Sequence, residues 1–177
     1  MREMPSSRGA GWRSVAALLA VLQLVSCDAL SSSTSVVIRP ENSVIMPFAD
    51  GPELVKPCRT PPAHVAGFWE PTREQIARME AGLPAAVNPL LRREKKDGGK
   101  ISYHRQYIGL VRPDGRRAIY VNAFATDLIR RGGGLPADTV RWRSSPVNSC
   151  DGWLGFWSIE FDVETGTFSG FDLNGRA

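Results

Sequence analysis

A change in hydrophobic period near residue 101 constrains the fold more than any other feature of the sequence. From Ile101 to Val111 the apolar side chains recur with a period of two, which is typical of a β-strand with one buried face. Residues 112–115 are Arg-Pro-Asp-Gly, and Arg116–Phe124 is again rich in β-branched and aromatic residues. An Asp-Gly pair between two such runs predicts a β-hairpin.

A helix is predicted before this hairpin. Thr72 with Gln75 three residues later has the pattern of a capping box, and Pro71 suits the first turn. Three apolar residues recur at helical spacing and are expected to face a core: Ile76, Met79 and Leu83. Gly82 and Pro84 predict the end of this helix.

Further strands are predicted towards the C-terminus. Phe156–Val163 alternates apolar and polar residues, and Glu164–Gly166 predicts a turn into Thr167–Leu173. Residues 126–137 contain three consecutive glycines and a proline, which predicts a connection, while Val140–Arg143 alternates like a short strand. The charged stretch Leu90–Gly99 fits a solvated connector better than a second short helix.

These elements predict an α+β fold in which one N-terminal helix packs on a four- or five-stranded antiparallel sheet. The order helix, hairpin, connection, hairpin fits a cystatin-like arrangement. A likeness at the level of the fold says little about function.

The first 26 residues have the layout of an export signal. Arg2, Arg8 and Arg13 precede the mostly apolar run Ser14–Val25. This run is about half the roughly 20 apolar residues that a membrane-spanning helix needs. Residues 1–26 are therefore predicted to be a signal peptide.

The end of this signal resembles the lipobox of bacterial lipoprotein precursors, in the residues Leu24-Val25-Ser26-Cys27. The resemblance implies that Cys27 is lipidated and becomes the first residue, with acyl chains such as palmitate that anchor the protein stably in a membrane. The alternative is an ordinary secretory signal, cleaved at a small residue such as Ser26 or Ala29. Asp28 follows Cys27, and in some diderm bacteria an aspartate there retains lipoproteins in the inner membrane. We expect an exported lipoprotein that faces the periplasm.

The exported chain has a nearly balanced charge. Removing residues 1–26 takes away three arginines and one glutamate and leaves 19 basic and 17 acidic residues. This balance and the predicted export both argue against a nucleic-acid partner. Residues 27–57, rich in Ser and Pro, are interpreted as a flexible tether, and residues 58–177 as a single α+β domain with one core.

Two cysteines remain beyond Cys27. Cys58 and Cys150 form an even pair in a chain that is predicted to enter an oxidising compartment, so a disulfide between them is the first interpretation. Closing a loop of this length contributes about 4 kcal/mol in the chain-entropy description. Such a bridge would be a large part of the stability of a small domain.

Several local patterns resemble a set of small bacterial lipoprotein-like sequences that have no assigned activity. The resemblance covers about residues 68–177. It rests on five short motifs: Trp69-Glu70-Pro71, Tyr103–Gly109, Ile119–Phe124, Cys150-Asp151-Gly152 before Phe156-Trp157, and Asn174-Gly175. The resemblance implies an exported domain and assigns no catalytic role to any residue.

A thiol enzyme is the main alternative to a non-enzymatic role. Cys150 as nucleophile, His104 as base and either Asp151 or Asn122 as the orienting group would make the necessary set. Such a nucleophile has to be a free thiol in an electropositive, partly exposed place. A second cysteine in an exported chain favours a disulfide over this arrangement.

The sequence predicts no metal site and no cofactor. His64 and His104 are the only histidines, and neither belongs to a paired zinc-ligand motif. The five carboxylates that could be proposed as calcium ligands are expected to lie on solvent-facing positions: Asp151, Glu160, Asp162, Glu164 and Asp172. The glycine run 132–134 lacks the lysine and the following helix of a phosphate-binding loop.

Tryptophan and arginine are the residues most enriched at binding hot spots, and Trp142, Trp153 and Trp157 lie close together in the sequence with Arg141 and Arg143 beside Trp142. Trp153 lies in a glycine-flanked loop where a large ring is hard to bury, so it is the first candidate for a contact residue. The adjacent segment adds three further binding candidates: Arg141, Trp142 and Arg143.

Together these observations predict a membrane-tethered envelope lipoprotein with a non-enzymatic binding or accessory role. Its expected partner, apart from the membrane that its lipid enters, is an envelope protein or a cell-wall glycan. The alternative is a thiol-dependent or hydrolytic envelope enzyme that uses Cys150 and His104.

Overall fold

A six-stranded mixed sheet and one long helix form the centre of the protein. The structure, a computed structural model, describes residues 40–56, 62, 64–94, 101–127, 141–149 and 152–175. The strands are β1 (Ser43–Ile45), β2 (Gly67–Trp69), β3 (Tyr103–Val111), β4 (Arg117–Ala125), β5 (Phe156–Asp162) and β6 (Phe168–Leu173). The α-helices whose two ends lie within these residues are α1 (Gly51–Leu54) and α2 (Arg73–Glu94). The α+β class is thus confirmed.

The predicted hairpin is confirmed as β3 and β4. The two strands pair antiparallel over nine residues each, from Tyr103 opposite Ala125 to Val111 opposite Arg117. In the turn, Gly115 adopts a φ of 82°, a conformation that favours glycine. The Asp114 carboxylate accepts a hydrogen bond from the Arg116 backbone N–H at 3.0 Å.

The prediction of a purely antiparallel sheet is wrong, because β1 runs parallel to β3. The strand order is β1-β3-β4-β5-β6, and β2 pairs antiparallel with β3 farther along the same strand. A parallel pair requires a long crossover. The chain between β1 and β3 provides one, since it contains α1, β2 and α2.

The folded unit includes residues that precede Cys58. β1 belongs to the sheet, Met46 is fully buried and Leu54 of α1 is 2% exposed. Ser43–Lys56, within the stretch interpreted as a tether, therefore contributes to the core. The rest of that stretch, including Cys27 and Asp28, lies outside the described residues.

The start of α2 is as predicted, but its end is not. Thr72 and Gln75 form the reciprocal capping box, with bonds of 2.8 and 3.2 Å. The helix then continues through Gly82, Pro84 and Pro89 to Glu94.

Packing explains why α2 does not end at Gly82 or Pro84. Each proline removes one helical hydrogen bond, but a stripe of three fully buried residues crosses this region: Met79, Leu83 and Val87. A Cβ on Gly82 would come within 3.0 Å of the Phe168 ring, so glycine here allows β6 to approach the helix. Burial of this face outweighs the local helix-breaking tendency.

The two faces of the sheet are covered differently. Side chains of alternate positions in β3, β4 and β5 pack with α2 into the larger core, which includes Tyr103, Tyr107, Val121, Trp157 and Ile159. The opposite face carries two smaller clusters, one under α1 and one around Phe124, Trp142, Val147 and Phe156.

Two buried amides attach residues 141–149 to the opposite face. The Gln106 Nε2 group donates to the carbonyls of Trp142 and Ser145 at 2.6 and 2.7 Å, and its Oε1 accepts from the Val147 N–H at 2.8 Å. Asn122 donates to Gln106 Oε1 at 3.1 Å and to the Val147 carbonyl at 2.7 Å. These bonds hold Arg141–Ser144 as a turn. The prediction of a strand over Val140–Arg143 is therefore wrong for Arg141–Arg143, the residues of that stretch that the structure describes.

A charged cluster lies between α2 and the sheet. The Arg105 side chain is fully buried, and its Nε is 2.9 Å from a carboxylate oxygen of Glu80 on the helix. The Tyr107 hydroxyl donates to the same carboxylate and accepts from Arg105 Nε at 2.8 Å. Burial raises the pKa of Tyr107, so this hydroxyl keeps its proton and remains a donor to Glu80.

Replacing Glu80 by alanine is expected to lower the free energy of unfolding by about 3–5 kcal/mol, because it leaves a buried guanidinium without its carboxylate. Chemical denaturation followed by tryptophan fluorescence measures the change. Glu74→Ala, at an exposed position in the first turn of the same helix, is the matched control and should have little effect. Equal effects of the two substitutions would contradict the assigned role of the pair.

A candidate binding cavity beside Trp153

Trp153 lies in a short 3-10 turn, Trp153–Gly155, that leads into β5. The turn is held by the Tyr103 hydroxyl, which donates to the Leu154 carbonyl at 2.8 Å. Trp153 has a φ of 41°, a left-handed conformation that is unfavourable for a bulky residue. Such strain persists where the surrounding structure enforces it, often at ligand sites.

The half-buried Trp153 lines a cavity of about 420 Å³. The last turn of α2 supplies Leu90, Arg93 and Glu94 to the same cavity, and the end of β6 and the following residues form another wall: Phe171, Asp172, Leu173, Asn174 and Gly175. The wall combines apolar side chains with charged and amide groups, and the cavity is open to solvent.

Asn174 is the most unusual polar group in this cavity wall. It is 1% exposed, its Nδ2 donates to the Ser149 carbonyl and its backbone N–H donates to the Phe156 carbonyl at 3.1 Å. Its Oδ1 is buried and has no hydrogen-bond partner. A buried acceptor left in this state costs about 1–3 kcal/mol.

The charged groups of the cavity are one cation and two anions. Arg93 and Glu94 come from the helix, and Asp172 comes from β6. Glu94 and Asp172 each already have an interaction partner.

The other predicted contact residues lie elsewhere. The Trp142 ring is 7% exposed and packs against His104 and Phe124, with ring centroids 4.4 and 6.0 Å apart. These residues belong to the sheet face opposite α2, whereas the Trp153 cavity is lined by α2. The structure does not bring Trp153 together with Trp142.

The two arginines beside Trp142 are exposed. The Arg143 guanidinium lies 4.3 Å from the centre of the Trp142 ring and donates to the Glu41 carbonyl. These contacts join the 141–149 segment to the chain just before β1. Arg143 therefore already has a structural role, and Arg141 forms the turn beside it.

The residues of the thiol-enzyme alternative are only partly described. His104 packs between Trp142 and Phe124 on the face opposite α2, and the Asn122 amide is bonded to Gln106 and Val147. Cys58, Cys150 and Asp151 lie outside the described residues, so their pairing or reactivity stays a prediction.

Two of the carboxylates considered for calcium, Glu160 and Asp162, have other contacts. Glu160 forms an ion pair with Arg112, and Asp162 accepts hydrogen bonds from the backbone N–H groups of Thr165 and Glu164 at 2.8 and 2.9 Å. The bond from Thr165 is the main reason why the pKa of Asp162 lies below its usual value. Within the described ranges, no three or more such side chains are grouped to hold a metal ion.

A second cavity, of about 500 Å³, opens between β1 and the start of α2. It is lined by Ser43–Ile45 of β1, by Arg73 and Ile76 of α2, and by Tyr107 of β3. The Tyr107 hydroxyl is already bonded to Glu80 and Arg105. This hydroxyl thus serves the packing of α2 against the sheet.

The chain matches no protein-family model, no curated protein and no solved structure. In the part of the chain that the structure describes, no helix is both long enough and apolar enough to cross a bilayer. The function has to be inferred from the residues of the chain itself.

Sequence reasoning singled out Trp153 but missed its partners in the cavity. Arg93 and Glu94 are expected to lie in a connector if the helix ends at Gly82, and Asp172 is expected on a solvent-facing position. Asn174 belongs to a short sequence motif that predicts no binding role for it. The continuation of α2 to Glu94, which no local pattern predicts, is what brings these residues to Trp153.

Replacing Trp153 by glycine is expected to leave the protein about 1 kcal/mol more stable than replacing it by alanine. Both changes remove the ring, but only glycine accepts the positive φ at little cost. The free energies of unfolding from urea titrations give the comparison. An alanine variant at least as stable as the glycine variant would show that residue 153 is not strained.

Proposed function

We propose that this protein is an exported lipoprotein, anchored to a membrane through Cys27, whose folded domain binds a component of the cell envelope in the Trp153 cavity. Its role is binding rather than catalysis. The observation that carries the binding role is a cavity of about 420 Å³ whose wall contains a strained tryptophan and a buried, unsatisfied amide oxygen.

The sequence supports the setting of this domain. The lipobox-like end of the signal and the Ser-rich residues that follow it suit a domain held at a short distance from a membrane. Asp28 favours retention in the inner membrane of a diderm host, facing the periplasm. A disulfide between Cys58 and Cys150 would suit the same oxidising compartment.

We also propose that the domain has a cystatin-like arrangement. In the cystatin-like arrangement, one helix near the start of the domain packs across antiparallel strands. Helix α2 with β3–β6 supports that comparison, while the parallel strand β1 adds an element to it.

Replacing Cys27 by serine is expected to move the protein from the membrane fraction to the soluble fraction, because the lipid is the proposed anchor. Fractionation of cells expressing the full chain, together with incorporation of a labelled fatty acid, measures the change. Ser31→Ala, four residues farther on, is the control and should leave both readouts unchanged. A wild type that is already in the soluble fraction and incorporates no labelled fatty acid would contradict the lipid anchor and favour an ordinary secretory signal.

Binding to the envelope is expected to depend on Trp153 and not on Arg143. Co-sedimentation of the purified full chain with washed envelopes, measured against added protein, should show saturable binding that Trp153→Gly weakens by about ten-fold or more. Arg143→Ala, on the opposite side of the sheet, should bind like the wild type. Absence of saturable binding, or equal losses in the two variants, would contradict the proposed function.

A further inference from the structure

The outer edge of β1 is open within the part of the chain that the structure describes. β1 is the first strand of the sheet, and its described partner is β3 alone. The Met46 N–H donates to the Tyr107 carbonyl at 2.8 Å, so Met46 directs its backbone groups towards β3. Backbone groups alternate in direction along a paired strand, and those of Ile45 therefore point away from β3. An edge of this kind is a template for a further strand.

A cavity of about 500 Å³ lies at the same edge. Val44 and Ile45 both line it, although their side chains pack into clusters on opposite faces of the sheet. The cavity therefore extends around the edge of β1. On the helix side its wall is completed by Ile76 of α2 and Tyr107 of β3. Ile45 and Ile76 are only half-buried, so the edge offers backbone groups and apolar surface to one occupant.

The chain itself carries a segment that suits this edge. Residues 36–38, which precede the described ranges, are Val-Val-Ile. β-branched residues are strong strand formers, and their apolar side chains gain free energy by burial. A segment joined to β1 by a short loop also has a high effective concentration at the edge, which favours it over a separate partner.

The turn before β1 directs the preceding residues back along its edge. Four residues separate Ile38 from Ser43, which is a common length for a β-hairpin loop. Pro40–Asn42 is a 3-10 turn, whose backbone angles are close to those of a type I turn. Proline is favoured at the second residue of such a turn, where a loop over residues 39–42 places it. The Arg143 side chain donates to the Glu41 carbonyl and holds the turn against residues 141–149.

We infer that Val36–Ile38 pairs antiparallel with β1 as an added edge strand and fills the cavity there. The four-residue loop sets the register: Ile38 opposite Ser43, Val37 opposite Val44 and Val36 opposite Ile45. Val36 and Ile45 then exchange both backbone hydrogen bonds, as the direction of the Ile45 groups requires. Opposite residues share a face of the sheet, so Val36 enters the cavity beside Ile45 and Ile76.

The added strand goes beyond the proposed binding role. β1 and β6 are the two ends of the strand order, and the Trp153 cavity is lined by β6. With residues 36–38 attached to the domain, the tether is shortened to the eight residues that follow Cys27. Eight residues reach at most about 28 Å when extended. Under the proposed lipid anchor, the domain is thereby held close to the membrane.

Amide hydrogen exchange of the full, detergent-solubilised chain tests the pairing at Ile45. Its N–H should exchange at least about ten-fold faster in Val36→Asp than in the wild type, because a carboxylate is disfavoured between apolar side chains. The Val44 N–H, which faces β3, is the internal reference and should stay protected in both proteins. Ser33→Asp, outside the added strand, is the matched control and should exchange like the wild type.

Three outcomes of this experiment would overturn the inference. The first is an Ile45 N–H that exchanges in the wild type at the rate of an unstructured peptide. The second is protection that Val36→Asp leaves unchanged. The third is protection that rises with protein concentration, which would assign the edge of β1 to a second copy of the chain.

Paired cysteines test the register without depending on the stability of a variant. Val37→Cys with Val44→Cys places two thiols on directly opposite residues, within reach of a disulfide. Val36→Cys with Val44→Cys is the control, because its two side chains lie on opposite faces of the sheet. In a glutathione buffer the first pair should form its bond at least about ten-fold more favourably, as measured by peptide mass spectrometry. Equal bond formation in the two pairs would contradict the added strand.

Discussion

The guanidinium of Arg105 has no exposed surface. It lies on the face of the central strand β3 that helix α2 covers. A buried cation of this kind needs a carboxylate and well-placed hydrogen bonds, because its desolvation is otherwise too costly. Glu80 supplies the carboxylate from the helix, and Tyr107 bridges the two groups. The position of α2 along the sheet is thereby restricted to one that brings Glu80 over Arg105. Arg78, which contacts the Val163 carbonyl and the Phe161 ring, adds a second polar connection between the helix and β5.

Strand β3 carries buried polar groups on both faces, and each face serves a different purpose. On the helix side Arg105 fixes α2, and on the other side Gln106 and Asn122 satisfy backbone groups of residues 141–149. Segments without regular structure have few backbone partners of their own, so an amide that donates and accepts at once is well suited to hold them. Trp142 and Val147 can then complete a small apolar cluster with Phe124 and Phe156.

The cavity beside Trp153 follows from these two constraints. Because α2 is fixed by Glu80 and continues to Glu94, its last turn lies next to the residues that enter β5 and leave β6. Trp153 is held there at positive φ, and Asn174 is held by its bonds to Ser149 and Phe156 while its Oδ1 is left without a partner. Both features reduce the stability of the free protein. Under the proposed binding role, such costs are retained because they serve the site.

The sequence by itself determined the local elements: the capping box of α2, the Asp-Gly hairpin of β3 and β4, and the apolar face of β5. Each of these depends on residues within a few positions of one another, so periodicity and turn chemistry suffice. It also singled out Trp153, but not the residues around it. Only the tertiary structure decided that α2 passes Pro84, that β1 joins the sheet in parallel, and that Trp142 is buried on the face away from Trp153. Those outcomes depend on burial against distant parts of the chain, which outweighs local preference and leaves no pattern in neighbouring residues.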